Sequence, residues 1–335
     1  MAKRKINGIF LLDKPEGITS STALVKTRAI FKALKGGHTG ALDPQASGLL
    51  PICLGEAAKF SSFFLEGKKR YLAEGTLGKT TTTCDREGDV VIEREIGNAM
   101  ERLEDVIKQF VGTIVQVPPI YSAVKVNGKP LYKYARQGRE AEVEIPQRTV
   151  EIYELKLLEK TATTFKVEVF CSKGTYIRTL ISDIGEALGC GAYVSHLRRV
   201  YVEGLPEGQM TSLETLQHLA DTRDNKLDFT ALDNLLIPIE SALGNLPVVE
   251  LPQVLAEPLS HGMKVRLSNA RTEQDQAELK LPHPFPELNS LVQAHYHGLF
   301  LGVCYFADPN LLVPKRMMDP EVMAQRLAQE QSQQS

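Results

Sequence analysis

Residues 36–55 read GGHTGALDPQASGLLPICLG and place one carboxylate, Asp43, between a glycine-rich approach and an apolar run. Glycines at the start of this stretch permit positive φ angles or the close approach of another backbone. Asp43 followed by Pro44 is typical of a helix N-cap with proline at the first helical position, where the carboxylate only satisfies backbone N–H groups. The alternative is a sheltered, ionised carboxylate that attacks a substrate, and this requires a cationic partner.

The segment KGTYIRTL (173–180) offers such a partner. Tyr176 and Arg178 occupy alternating positions, so both would face one cleft if the segment were a strand. An arginine beside a buried aspartate lowers the pKa of the acid and keeps it anionic. The spacing does not show that the two segments meet, so both interpretations of Asp43 stay open at this point.

Length and composition bound the class of protein. The chain has 335 residues, 43% of them hydrophobic and 24% charged, which fits a globular protein of two domains or of one large domain with an appendage. No apolar run approaches the ~20 residues that span a bilayer. The five cysteines contain no CxxC pair, which excludes a zinc ribbon and predicts free thiols in a reducing cytoplasm. We expect a cytoplasmic monomer without membrane association, since no extended apolar seam is visible.

The charge is unevenly distributed. Residues 1–80 carry 13 Lys and Arg against 6 Asp and Glu, whereas residues 203–260 carry 2 against 10. Basic residues cluster again in 125–139, interleaved with Tyr132 and Tyr134. Cations beside aromatic rings are the combination that holds a nucleic-acid backbone while bases stack, although charge runs alone also occur on ordinary solvated surfaces.

The hydrophobic pattern predicts an α+β fold with a mixed, largely antiparallel sheet. Strand patterns and helical patterns follow one another without βαβ regularity. The predicted strands are 7–15, 71–78, 88–95, 150–159 and 164–172, and the predicted helices are 20–34 with a serine N-cap, 100–112 and 176–190. The segment 80–89 holds three carboxylates near threonines but lacks the spacing of a calcium loop.

The C-terminal part has a different composition and hydrophobic pattern. The acidic stretch 203–240 has a helical pattern, 246–268 is proline-rich with short strand-like pieces, and 295–306 predicts a buried hairpin. We therefore expect a domain over residues 1–245, a small β domain over 246–316, and a polar tail over 317–335 that is a frayed helix or disordered.

Five long segments resemble the bacterial TruB-type tRNA pseudouridine synthases. They are NGIFLLDKPEGITS (7–20), GGHTGALDPQASGLLPICLGEAAKF (36–60), KRYLAEGTLG (69–78), PPIYSAVKVNGKPLYKYARQG (118–138) and CSKGTYIRTLISDIGEALGCGAYVSHLRR (171–199). The resemblance covers most of residues 6–202. It implies isomerisation of one uridine in the T loop of tRNA, at position 55, without cofactor or metal. The base would be flipped out of the folded loop, at a cost of roughly a few kcal/mol.

The resemblance also implies roles for individual residues. Asp43 matches the catalytic aspartate, Arg178 the arginine paired with it, and Tyr71 a tyrosine that stacks on the target base and has been considered as a proton acceptor at C5. Tyr176 and Leu197 match walls of the uracil pocket, and His38 matches a histidine that packs into the rearranged T loop. The segment 118–146 matches a mobile insertion that clamps the RNA, disordered without RNA. Residues 246–316 loosely resemble a PUA-like domain that contacts the tRNA acceptor arm.

Two questions remain open on the sequence. An ionised Asp43 can add to C1′ or take the C2′ proton, and the sequence does not choose between these steps. A non-catalytic tRNA-binding or folding chaperone would share the RNA-contact features, but it would not need Asp43, Tyr71 and Arg178 together. A glycosidase is disfavoured, because no second acid accompanies Asp43 in its motif.

Overall fold

The computed structural model describes residues 2–321, whose longer strands form two sheets. The strands up to residue 130 are β1 (Gly8–Lys14), β2 (Gly36–His38), β3 (Ala46–Leu54), β4 (Lys69–Leu77), β5 (Lys79–Thr81), β6 (Val90–Glu93), β7 (Gly112–Gln116), β8 (Lys125–Val126) and β9 (Lys129–Pro130). The later strands are β10 (Arg148–Lys160), β11 (Thr164–Cys171), β12 (Ala192–Val202), β13 (Thr211–Ser212), β14 (Leu236–Ile237), β15 (Val248–Glu250), β16 (Val265–Arg266), β17 (Leu291–Tyr296), β18 (Leu299–Asp308) and β19 (Leu311–Met317).

Most helices are short. They are α1 (Ser20–Phe31), α2 (Ser61–Leu65), α3 (Ala99–Lys108), α4 (Leu131–Ala135), α5 (Ile177–Leu188), α6 (Leu213–Asp221), α7 (Thr230–Asp233), α8 (Ile239–Ala242), α9 (Gln253–Ser260) and α10 (Glu273–Glu278). Short 3₁₀ helices cover Gly55–Phe60, Glu140–Glu142 and Leu267–Asn269. Within residues 2–321, no helix has the length and apolar character needed to cross a bilayer.

The large sheet confirms the α+β prediction. Its strand order is β13–β1–β3–β12–β4–β11–β10–β7, with β14 beside β1 and β2 beside β3. The pairs β1–β13 and β3–β12 are parallel and the others are antiparallel. The predicted strands and helices all fall on elements of the structure, and the predicted 295–306 hairpin is the antiparallel pair β17–β18.

Two groups of helices cover different parts of one face of this sheet. Helices α1 and α6 pack on β1 and β3. Phe10 of β1, Phe31 of α1 and Leu216 of α6 are buried together in this apolar cluster. Helices α3 and α5 pack on β4, β11 and β12 and form a second apolar cluster. Tyr71 and Leu197 touch both clusters, so they mark the line where the two halves of the sheet meet.

The second sheet has the order β15–β17–β18–β19–β16 and packs against the large sheet. One apolar cluster contains Ile9, Leu49 and Phe60 from the first part of the chain together with side chains of the second sheet. The rings of Phe60 and Phe300 lie 5.4 Å apart between centroids. The two sheets therefore share a continuous core.

Several boundaries differ from the sequence prediction. Thr19, and not a serine, caps α1, and Lys32 at φ 53° ends it three residues early. Residues 253–260 form α9 in spite of Pro258, because Leu255, Ala256 and Leu259 bury at helical spacing and this packing outweighs the lost backbone N–H. β19 runs through Met317, and the rest of the predicted tail from residue 322 lies outside the described residues.

Candidate active site

Asp43 lies in the turn between β2 and β3, and no helix follows it. The Asp43 carbonyl accepts a hydrogen bond from the Ala46 amide at 3.1 Å, which closes a four-residue turn with Pro44 at its second position. β3 starts at Ala46 and buries its apolar run in the sheet. The N-cap interpretation of Asp43 is therefore wrong, because tertiary burial draws the chain after Pro44 into a strand.

A buried lysine anchors this turn on one side. The carbonyl of Pro44 accepts hydrogen bonds from the Gly17 amide at 2.9 Å and from Lys14 Nζ at 3.3 Å. Lys14 is fully buried and also donates to the carbonyls of Pro15 and Ile18, each at 2.8 Å. Burial lowers the pKa of Lys14 to about 8, while the nearby Asp43 and Glu16 act in the opposite direction.

A buried arginine anchors the turn on the other side. Arg199 Nη2 donates to the Gly40 carbonyl at 2.7 Å, and Arg199 Nε donates to the Leu49 carbonyl at 2.8 Å. Gly48 has φ 96°, and a Cβ there would lie 2.2 Å from the Arg199 carbonyl oxygen. Glycine at position 48 is thus required both by its backbone angle and by the closeness of β12.

Arg178 is the cationic partner of Asp43. Arg178 Nε lies 2.9 Å from Asp43 Oδ2, and the arginine side chain is only 6% exposed, against 43% for Asp43. Its other nitrogens donate to the Thr83 carbonyl at 3.0 Å and the Tyr121 carbonyl at 2.9 Å, and Asp85 Oδ2 lies 3.5 Å from Nη1. Because the guanidinium fork is held by these groups, it presents Nε to Asp43 in a fixed direction.

Tyr176 and Arg178 lie at the start of α5 and not on a strand. The strand interpretation is wrong because residues after Tyr176 bury at helical spacing. Gln116, which is 1% exposed, binds both backbone groups of Tyr176. Its Oε1 accepts from the Tyr176 amide at 3.0 Å and its Nε2 donates to the Tyr176 carbonyl at 3.2 Å. α5 ends at Gly189, which has φ 88°.

Five of the six sequence-predicted site residues line one pocket of about 120 Å³. They are Asp43, Tyr71, Tyr176, Arg178 and Leu197, and the remaining lining residues are Ala41, Leu42, Ala46, Thr175 and Ile177. The pocket joins one carboxylate and one guanidinium to aromatic and apolar walls. Such a site can hold a flat, partly polar ring next to an anionic oxygen.

His38 does not line this pocket. It lies on β2, and its buried Nδ1 has no hydrogen-bond partner among the described residues. Burial, together with the charge of Arg199, lowers the pKa of His38. A neutral imidazole at this position is suited to stacking on a base.

The pKa of Asp43 is raised, and not lowered as we expected from the arginine. Burial is the largest cause, and the charges of Asp85 and Glu87 add to it. Arg178 and, more weakly, Lys14 act in the opposite direction. Burial also raises the pKa of Tyr71, so that its phenol is neutral.

Four residues that position the site were missed in the sequence. They are Lys14, Asp85, Gln116 and Arg199. Asp85 comes from the threonine-rich segment 80–89, whose three carboxylates were the only available signal. Lys14 and Arg199 lie inside matched family segments, but a buried cation bound to backbone carbonyls has no sequence pattern of its own.

Comparison with known proteins identifies the family of the chain. Residues 28–177 match the TruB family pseudouridylate synthase (N terminal domain), and residues 178–244 match the tRNA pseudouridylate synthase B C-terminal domain. The tRNA pseudouridine synthase B of Mannheimia succiniciproducens is 43% identical over 316 residues, covering 94% of this chain and 97% of the relative. The protein of the same name from Haemophilus influenzae (strain PittEE) is 44% identical over 315 residues, covering 94% and 96%.

A solved structure, of a Cbf5-Nop10-Gar1 complex, contains a chain that superimposes with a TM-score of 0.69 at 25% identity, covering 94% of this chain and 86% of that chain. The shared fold and the near-full-length identity to curated relatives extend the resemblance seen in the motifs to the whole chain. The chain belongs to the TruB family of pseudouridine synthases and is a tRNA-modifying isomerase.

Proposed function

We propose that this enzyme converts uridine 55 in the T loop of tRNA to pseudouridine and that Asp43 is its catalytic acid–base or nucleophilic group. The observation that carries the proposal is the Asp43–Arg178 pair, 2.9 Å apart, in a pocket walled by Tyr71, Tyr176 and Leu197. The reaction breaks the bond between C1′ and N1, joins C1′ to C5, removes the C5 proton and places a proton on N1.

The pocket supplies groups for holding the base and for cleaving the bond between C1′ and N1. The aromatic rings of Tyr71 and Tyr176 stack on the extruded uracil, a contact worth about 1–3 kcal/mol per base. Asp43 then adds to C1′ as a nucleophile or takes the C2′ proton to form a glycal, and both steps use its anionic form. Arg178 keeps that anion oriented. The raised pKa of Tyr71 favours a stacking role over proton acceptance by a phenolate.

We assign the RNA contacts outside the pocket to three regions. His38 would replace the flipped base in the T loop, and residues 118–146, whose Tyr121 carbonyl touches Arg178, would close over the loop. Residues 246–316, which loosely resemble a PUA-like domain and carry Lys264, Arg266, Lys315 and Arg316, would contact the acceptor arm. Equal protease sensitivity of 118–146 with and without tRNA would contradict the closing role. The free thiols support a cytoplasmic location, and we propose that the enzyme is a monomer.

The test is tritium release from tRNA labelled at C5 of uridine, comparing the wild type with Asp43→Asn. This change keeps the side-chain size and removes the charge. We expect release at position 55 by the wild type, loss of release in Asp43→Asn, and retained tRNA binding in both. Release by the variant would contradict the role of Asp43, and release from another uridine would contradict the assigned position. Binding without release by the wild type would favour the chaperone alternative.

A further inference from the structure

Four polar side chains from separate segments meet beside the turn that carries Asp43. Arg86 Nε donates to Gln45 Oε1 at 3.0 Å, and Arg86 Nη2 hydrogen-bonds to Glu16. Arg86 Nη1 lies 3.3 Å from His196 Nδ1. We call this group, Glu16, Gln45, Arg86 and His196, the Arg86 clasp.

Each member of the clasp lies within two residues of a side chain that lines or anchors the pocket. The pairs are Glu16 with Lys14, Gln45 with Asp43, Arg86 with Asp85, and His196 with Leu197. The clasp thus joins the backbone segments of the site to one another, although none of its own side chains lines the pocket.

The clasp lies where the large sheet divides. β3 and β12 pair in parallel from Ala46 and Leu197 onward. Before that point β12 pairs instead with the segment between β5 and β6, where the Arg86 amide donates to the Val194 carbonyl at 3.1 Å and the Val194 amide donates to the Cys84 carbonyl at 3.0 Å. A register shift in β12 marks the same point. Bulges next to active sites commonly redirect side chains in this way.

The clasp adds a second connection between the Asp43 turn and the segment that carries Asp85. Arg178 touches Asp43 on the turn and Asp85 on the β5–β6 segment, so its geometry depends on the separation of the two. Gln45 bridges the same two segments, because it accepts from Arg86 and donates to Glu87 Oε1 at 2.7 Å.

Arg86 also balances charge at this point. The pKa of Glu16 is lowered. Burial acts to raise this pKa, but the hydrogen bond and charge of Arg86 and, to a lesser degree, His196 outweigh the burial. Glu87 adds to the rise in the pKa of Asp43. Without Arg86, Glu16 would lose the guanidinium that lowers its pKa.

We propose that Arg86 is a positioning residue for this reaction, which holds the Asp43 turn and the Asp85 segment at the separation where Arg178 contacts both. This inference rests on the proposed catalytic role of Asp43. It assigns Arg86 no contact with the reacting atoms. Its removal should therefore slow the chemical step and leave tRNA affinity nearly unchanged.

The experiment measures single-turnover pseudouridine formation at saturating tRNA, together with tRNA affinity, for Arg86→Met. Because misplacement of a reacting group by a fraction of an ångström is costly, we expect the rate constant to fall ~10-fold or more while the Kd changes less than about 2-fold. Gln45→Ala should give a smaller loss. The double variant should lose about as much as Arg86→Met alone, since residues that act through one network are not additive.

Arg94→Met is the matched control. Arg94 follows the same β5–β6 hairpin, is 32% exposed like Arg86, and holds Glu186 through two hydrogen bonds of 2.9 and 2.8 Å. It should leave the rate unchanged. Arg86→Lys keeps the charge without the fork and should recover only part of the rate.

Three results would overturn the inference: a wild-type rate in Arg86→Met, an equal loss in Arg94→Met, or a rate loss that higher tRNA concentration restores. If Arg86→Met fails to fold, Gln45→Ala carries the test, and a wild-type rate there overturns it. Asp43→Asn separates the two proposals. If Asp43→Asn is active, the proposed catalytic role of Asp43 is wrong, and the inference about Arg86 loses its basis. If Asp43→Asn is inactive and Arg86→Met is fully active, only the positioning role of Arg86 is wrong.

Discussion

Arg178 and Asp43, the proposed catalytic pair, differ sharply in how firmly the protein holds their side chains. Arg178 is nearly buried and is bound to the carbonyls of Thr83 and Tyr121, while the Asp43 carboxylate remains 43% exposed. The cation is therefore the fixed reference and the carboxylate is the partner that a substrate can reach. This arrangement suits the proposed mechanism, in which the anion leaves its partner for a ribose atom.

Replacing Arg178 with Met should change both the rate and its pH dependence. Arg178 opposes the rise in the pKa of Asp43, so its loss should raise that pKa further. In the proposed mechanism activity requires ionised Asp43 and falls as the pH drops through its pKa, so the acid limb of the single-turnover profile should move to higher pH. The rate at the plateau should fall roughly 10²–10³-fold, as when one preorganised donor is removed.

Arg178→Lys provides the comparison, since it keeps the charge but cannot bind both carbonyls. Its acid limb should lie closer to that of the wild type, with a reduced plateau. An acid limb in Arg178→Met at the wild-type position would mean that Asp43 does not control the profile.

The sequence allowed the residues of the site to be named but not their environments. Five of the six named side chains do meet in one pocket, because family motifs preserve chemistry. The raised pKa of Asp43 could not be predicted, because the burial that causes it depends on distant segments. Three further residues bind backbone groups of the site: Lys14, Gln116 and Arg199. Because every residue has such backbone groups, the sequence carries no signal for these contacts.

At the scale of elements, α5 is the support of the site. Its N-terminal end carries both Tyr176 and Arg178, and Gln116 at the end of β7 fixes the backbone where the helix starts. The position of Arg178 relative to Asp43 therefore depends on an edge strand of the sheet.

Gln116→Ala should weaken both stability and activity. Its loss leaves the Tyr176 amide and carbonyl without these partners in a buried site, which should lower the free energy of unfolding by about 1–3 kcal/mol. The start of α5 should shift, and the rate of fully folded enzyme should fall. Denaturant unfolding and single-turnover assays check the two effects.

Gln293→Ala is the control for this prediction. Gln293 is 2% exposed and its Nε2 donates to the Leu243 carbonyl at 2.8 Å, far along the chain in the second sheet. Gln293→Ala should lower the free energy of unfolding by a similar amount and leave the rate unchanged. Equal rate losses in both variants would show that general destabilisation, and not the start of α5, explains the effect.

Hydrophobic periodicity was sufficient to predict an element where that element is amphipathic. It was insufficient where two short sequence signals favour different structures. The pattern of 176–190 predicts α5, whereas Tyr176 and Arg178 taken alone suggest a strand. Asp-Pro begins turns and helices equally well, and only the burial of β3 decides between them at Asp43.

The whole molecule is held by apolar clusters that cross its sequence divisions. The second sheet shares its core with β1, β3 and the segment around Phe60. The Asp319 amide also donates to Glu56 Oε2 at 2.8 Å, which ties the end of the second sheet to the first. We therefore expect the two sheets to unfold together.

Phe300→Ala tests this expectation. Phe300 is fully buried against Phe60, so the change should cost about 3–5 kcal/mol through lost burial and the cavity left behind. Unfolding followed by near-ultraviolet and far-ultraviolet signals should stay a single coincident transition. A separate early transition confined to the second sheet would contradict a shared core.

The sequence predicted two folded units and a hairpin in the second, but not how closely the units pack. Contacts such as Phe60 with Phe300 join segments that are distant in the chain, and a single sequence carries no signal for them.

The meeting of the two helix-covered halves has a consequence for how the enzyme would fail. Asp43 belongs to the half built on α1 and α6, Arg178 to the half built on α3 and α5, and their 2.9 Å contact spans the seam between them. The geometry of the proposed catalytic pair therefore depends on the alignment of the two halves. A relative shift of about an ångström would lengthen this contact beyond hydrogen-bond distance, so damage to either half should silence the enzyme well before it melts.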